Sequence, residues 1–115
     1  MFRFEGLDVW KKACDVTEKL FDIADELEVR HRFRYAEQLR SAALSVTNNI
    51  AEGSGSSSKP EFRQFLNFSH RSTFECANML LMAQRRKYVT DRQCEILKMQ
   101  LEEVSKMVIG FSRSL

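Results

Sequence analysis

The chain has 115 residues, of which 43% are hydrophobic and 30% charged, and its formal net charge is +2. That length supports one hydrophobic core and hence a single domain over residues 1–115. The composition is that of an ordinary soluble globular protein, and the charge is too small to announce a nucleic-acid ligand by itself.

The N-terminal MFRFEGLDVW lacks both the basic and the apolar segments of a secretory signal, and no apolar run reaches the ~18 residues of a membrane span. The expected location is therefore cytoplasmic, with no membrane partner. Cys14, Cys76 and Cys94 form an odd set without a CxxC pair, which argues against disulfides or a zinc knuckle. Each falls on an apolar helical face and reads as packing.

One proline and four glycines favour helix throughout. Helix one, about residues 5–29, carries a stripe of Leu7, Trp10, Cys14, Thr17, Phe21 and Ala24 at three- and four-residue steps. Beside it Val9, Val16 and Ile23, with Ala13, Leu20 and Leu27, widen the apolar arc well past the ~100° a surface helix needs. The expectation is that Val9, Val16, Leu20 and Ile23 form an interface between copies of the chain. Helix two, about 34–52, carries Tyr35, Leu39, Ala42, Val46 and Ile50 and stops at Gly53, read as a left-handed C′ residue. Helix three, about 59–87, opens with a Ser58-to-Glu61 capping box and Pro60 in its first turn, and its stripe runs from Phe62 to Ala83. Helix four, about 91–112, opens with a second box, Thr90 to Gln93, and carries Cys94, Leu97, Leu101, Val104, Val108 and Phe111. Four amphipathic helices with short turns predict an all-α, antiparallel up-down-up-down four-helix bundle.

Two features exceed what that architecture needs. A polar line of Gln38, Ser45, Asn49 and Glu52 runs beside the core stripe of helix two, and helix three offers Ser72 and Glu75 opposite it. It reads as a structural seam in which Glu52 accepts from the free N–H groups opening helix three. The second feature is charge. In an up-down-up-down bundle the first and third turns share one end, which gathers Arg30, Arg32, Arg34, Arg85, Arg86, Lys87 and Arg92, seven of 18 Lys and Arg, with His31, Phe33, Tyr35 and Tyr88 interleaved. Such a pole suits phosphate backbones, and its rings suit unpaired bases. Helix C-termini decorated with cations are the plainer explanation, which covers Arg85 to Lys87 better than Arg32, Arg34 or Arg92.

Catalysis lacks its usual groups. The only E-x-x-H spacing is Glu28 to His31, in a charged helix end, whereas a di-iron bundle needs two such pairs and further carboxylates. No phosphate-binding glycine loop is present, and Ser45, Asn49 and Glu52 supply no base poised near neutrality. The expectation is no catalytic residue, no metal and no cofactor.

The stretches FEGLDVWKKACDVTEKLFDI, FRYAEQLRSAALSVTNNIAEGSGSSSKPEFRQFL and RSTFECANML resemble the four-helix-bundle family encoded in intervening sequences of bacterial large-subunit ribosomal RNA genes. This is a fold family shared with the accessory variability determinant proteins of diversity-generating retroelements. The motif falls on Gln38, Arg40, Ala42, Ser45, Asn49, Ile50, Ala51, Glu52 and Gly53, then Phe62, Phe65, Ser72 and Glu75. The resemblance implies a small cytoplasmic homopentamer, and in its retroelement branch nucleic-acid binding with a reverse transcriptase as protein partner. The chain departs from the family pattern at LEVRHRFRYAEQL and SHRST, both of which add basic groups. The reading is a non-enzymatic, homo-oligomeric adaptor that touches RNA or DNA through the basic pole. The alternative is a protein-only oligomeric scaffold.

Overall fold

The computed structural model describes residues 1–115 and contains four α-helices and no strand. They are α1 (Asp8–Val29), α2 (Phe33–Ser54), α3 (Lys59–Arg85) and α4 (Asp91–Ser114), preceded by a 3-10 turn at Arg3–Gly6. At 1.5 Å per residue the 27-residue α3 spans about 40 Å, close to the full 44 Å length of the molecule. Within a single core of 25 buried apolar residues, α2 lies between α1 and α3, and α4 packs against α3 and α1. Tyr35 meets Met79 while Ser45 meets Ser72, so α2 and α3 run in opposite senses.

Local chemistry starts each helix where the capping residues stand. Thr90 Oγ1 accepts from Gln93 N at 3.0 Å, and Gln93 Oε1 accepts from Thr90 N at 2.8 Å, so two orphan donors of α4 are satisfied reciprocally. At α3 half the box forms: Ser58 Oγ accepts from Glu61 N at 3.3 Å, and no bond returns from the Glu61 carboxylate. Phe4 tilts against Trp10 at 5.1 Å, which ties the 3-10 turn to α1.

The structure corrects the assignment of faces on α1. Val9, Val16, Leu20 and Ile23 are not surface groups: they are buried in the core of the chain itself, with Ala13, Ala24 and Leu27. Trp10, Cys14 and Phe21 are only half-buried. Of the expected core stripe only Thr17 and Ala24 are buried, so the core line runs between the two apolar rows of the helix. Thr17 Oγ1 donates to the Ala43 carbonyl of α2 at 3.2 Å, and the bulkier Trp10 and Phe21 are left on the flanks.

Gly53 is also corrected. It lies inside α2 rather than beyond it, and no glycine has a positive φ. Its role is spatial: a Cβ there would stand 2.7 Å from Phe65 Cβ and 2.8 Å from Phe62 Cδ1. The missing side chain lets α3 cross the end of α2 at van der Waals range.

Burial also fixes the state of a core thiol. Desolvation, helped by the Glu75 carboxylate, pushes Cys76 from its ordinary 9.0 up to about 12. Below pH 9 both folded and unfolded chains keep the proton, and the contribution to stability is fully present. Above pH 9 the unfolded chain releases it first, so stability falls by about 1.4 kcal/mol per pH unit towards pH 12 from this group. The expected result is that Cys76→Ala is less stable than the parent at pH 8 and loses less stability between pH 9 and 10.5. Urea melts at both values check it, and equal losses in the two proteins contradict it.

Candidate nucleic-acid interface

The turns that close α1 and α3 share one geometry. In the first, His31 N donates to Glu28 O at 2.9 Å and Arg32 N to Leu27 O at 2.8 Å; in the second, Lys87 N donates to Gln84 O at 3.0 Å and Tyr88 N to Ala83 O at 2.8 Å. Both are Schellman motifs, whose C′ residue is left-handed and ordinarily glycine. Here the C′ residues are His31 (φ 62°) and Lys87 (φ 61°), the only non-glycine residues with positive φ. Each costs about 1 kcal/mol or somewhat more relative to a helical conformation. No glycine marks either turn in the sequence, so this geometry was not legible there.

The two turns meet. Arg30 Nη1 donates to the Tyr88 carbonyl at 3.3 Å, and the guanidinium groups of Arg30 and Arg32 lie 5.7 and 5.0 Å from the Tyr88 ring centroid. Such cation–π contacts hold the cations over the ring without neutralising them. Arg85, Arg86 and Lys87 run directly into Tyr88, while Arg34 and Arg92 sit in the first turns of α2 and α4. All seven cations are exposed, and none forms an ion pair. Three acids of these helix ends are engaged elsewhere. Arg40 takes Asp25 at 2.7 Å and Glu28 at 2.9 Å, and Asp91 accepts from Gln84 at 3.2 Å.

The aromatic groups of the pole divide into two pairs. Tyr35 is half-buried, donates its hydroxyl to the Met79 carbonyl, and meets Tyr88 edge-on at 5.7 Å. Burial, then the neighbouring Tyr88, raises the Tyr35 phenol above its ordinary value. His31 and Phe33 are exposed instead and stack on each other, with centroids 5.5 Å apart and planes at 30°.

The polar seam forms in part. Ser45 Oγ and Ser72 Oγ are 2.8 Å apart across the α2–α3 contact, and Asn49 Nδ2 donates to Ser45 O at 2.8 Å and Ser45 Oγ at 3.0 Å. Ser69 Oγ adds a buried bond to the Val46 carbonyl at 2.8 Å. Gln38 and Glu52 do not belong to it, and Glu75 only lines the same groove as Ser45, Asn49 and Ser72: all three are exposed, and their side chains make no hydrogen bond. The predicted contact from Glu52 to α3 is replaced by Ser58, which already satisfies an N–H of that first turn.

Sequence reasoning missed an apolar surface on α3 and α4. Phe74 (62% exposed), Leu81 and Met99 (63% exposed) face outward, and Phe74 and Leu81 line a groove of about 370 Å³ rimmed by Lys98, Glu102 and Lys106; Ile96 is exposed in a separate groove between α4 and α1. The seven-residue step from Phe74 to Leu81, off the core stripe, was its available signal.

The fold is thus an all-α four-helix bundle that carries an exposed basic pole and an exposed apolar groove. Residues 5–110 match the family model of the 23S rRNA-intervening sequence protein, and the chain belongs to that family. It is similar in structure to a protein of unknown function from the S23 ribosomal protein family of Bacteroides thetaiotaomicron, with a TM-score of 0.86 at 22% identity, over 90% of this chain and 97% of that one. No curated protein matches the chain. No helix is long and apolar enough to cross a membrane.

Proposed function

We propose that the protein is a non-enzymatic adaptor of the cytoplasm: an up-down-up-down bundle that assembles with its own copies and binds RNA or DNA through the pole made by the α1–α2 and α3–α4 turns. The observation that carries this reading is the cluster of seven exposed cations without acidic partners, drawn together by Arg30 and Arg32 on Tyr88. Phosphates bound there release condensed counterions, so affinity should fall with salt at about −0.7 in log K per contact on a single strand and −0.9 on duplex. About five contacts predict a ~100-fold loss between roughly 50 and 200 mM salt. Charge reversal at Arg32 and Arg86 is expected to remove binding while circular dichroism stays unchanged. A wild-type protein that shifts neither RNA nor DNA at low salt would refute the reading.

Self-association belongs on the α3–α4 surface, since the α1 residues first assigned to it are core. The Lys98 and Lys106 rim there complements the exposed Asp15, Glu18 and Asp22 of α1 in a second copy. A head-to-tail contact of that kind repeats around a ring, and a homopentamer is the copy number that the resemblance implies. Phe74→Glu is expected to reduce the particle to monomers by light scattering; a wild-type monomer at micromolar concentration contradicts assembly. The second reading, a protein-only oligomeric scaffold that presents identical surfaces to a partner of unknown identity, stands if nucleic acid does not bind; a reverse transcriptase is the protein partner that the resemblance implies for the first reading.

A further inference from the structure

We infer that the basic pole takes a nucleic-acid strand with unpaired bases, and that the exposed His31–Phe33 stack is the platform on which a base lies. The inference rests on the nucleic-acid reading above and narrows its ligand to single strands and loops.

The platform follows from elimination among the rings at the pole. Tyr35 is half-buried and fastened to the Met79 carbonyl, and Tyr88 lies under the guanidinium groups of Arg30 and Arg32. Both rings are engaged in contacts within the fold. Phe33 is 54% exposed although it begins α2, and the core beneath closes on Ala36 and Leu39 without it. Its only aromatic partner is His31, which a left-handed backbone holds at a position where glycine would be less strained. An apolar ring and a strained imidazole stacked together in water serve the fold poorly. They do fit a base, whose π-face stacks on aromatic side chains whatever its identity.

Cations adjoin the platform in sequence. The segment reads Arg-His-Arg-Phe-Arg, with a cation on each side of each ring, and none of these arginines is neutralised by an acid. Guanidinium groups take phosphates while the rings between them take a base. A duplex keeps its bases stacked on one another and can use only the cations. The geometry therefore favours unpaired over paired nucleic acid at equal charge, with little preference among bases.

The test uses the full chain with three fluorescein-labelled probes of equal phosphate count: a single strand, a duplex, and a hairpin with an unpaired loop. Wild type is expected to bind the single strand and the loop about tenfold more tightly than the duplex. Phe33→Ala should lose roughly tenfold on those two probes and little on the duplex, with the salt slope unchanged. Phe33→Trp should restore affinity, and its indole fluorescence should be quenched when the single strand binds, above the Trp10 background. Because Phe33→Trp keeps an aromatic ring, it also serves if Phe33→Ala folds poorly. If wild type binds single strand and duplex alike and Phe33→Ala changes neither, the platform is overturned while the basic pole stands. If wild type binds none of the probes, both readings fall together.

Discussion

Replacing Val16 and Ile23 together by glutamate is expected to abolish the fold. The two side chains are 2% and 4% exposed and point into the core that α1 shares with its neighbours. A carboxylate moved from water into such a site without a partner costs several kcal/mol, or takes up a proton and still leaves a buried polar group. Two such changes in one core are comparable with the whole stability of a domain of this size, about 5–15 kcal/mol. Loss of the helical far-UV signal at 25 °C, or a melt without cooperativity, is the expected measurement. A double variant that stays helical and melts cooperatively would put these residues back on an exposed face. Changing Lys11 and Lys19 to glutamine, on the outer face of the same helix, is the matched control and should shift stability by no more than about 0.5 kcal/mol.

Gly53→Ala sets two effects of opposite sign against each other. Inside a helix the exchange gains about 1 kcal/mol, because alanine restricts the unfolded chain and glycine does not. The new methyl group, however, would stand 2.7 Å from Phe65 Cβ and 2.8 Å from Phe62 Cδ1. The first neighbour is anchored directly to the α3 backbone, and the second belongs to a buried ring that also packs edge-on against Phe111 at 5.4 Å. Neither can swing aside, so α3 must shift away from α2, and overpacking of this kind costs about 1–3 kcal/mol or more. A net loss of about 1–2 kcal/mol is expected, read as a lower denaturant midpoint at unchanged m-value. A stabilised variant would mean that the α2–α3 corner is loose enough to absorb a methyl group. Phe65→Ala in the same background should recover little of the loss, because alanine keeps the obstructing Cβ.

Much of the fold was legible in the chain. Four apolar periodicities placed the four helices, and Ser58 and Thr90 marked the starts of α3 and α4 because capping is a contact between neighbours in sequence. The positions of the basic residues followed from connectivity, since helices joined by three- to five-residue turns return to the same end. The Ser45–Ser72 contact was legible for the same reason: helical spacing puts both hydroxyls on facing lines.

What the tertiary structure decided was which of two adjacent apolar lines on α1 is core. Val9, Val16, Leu20 and Ile23 differ little in hydropathy from Trp10, Cys14 and Phe21, and a moment along one helix cannot say where its neighbours sit. The packing of α1 against α2 and α4 buries the first set and leaves the second half-buried. Gly53 likewise carried two meanings, a left-handed stop or a place for another helix to pass, and only the positions of Phe62 and Phe65 separate them. Left-handed geometry fell instead on His31 and Lys87, where the Schellman bonds and the packing of the next helix outweigh the cost to a side chain with a Cβ. At the pole, charge was written in the sequence, but exposure was not. The folded chain spends Tyr35 and Tyr88 on contacts of its own and leaves His31 and Phe33 in water, because only the first pair lies where α2 meets the end of α3.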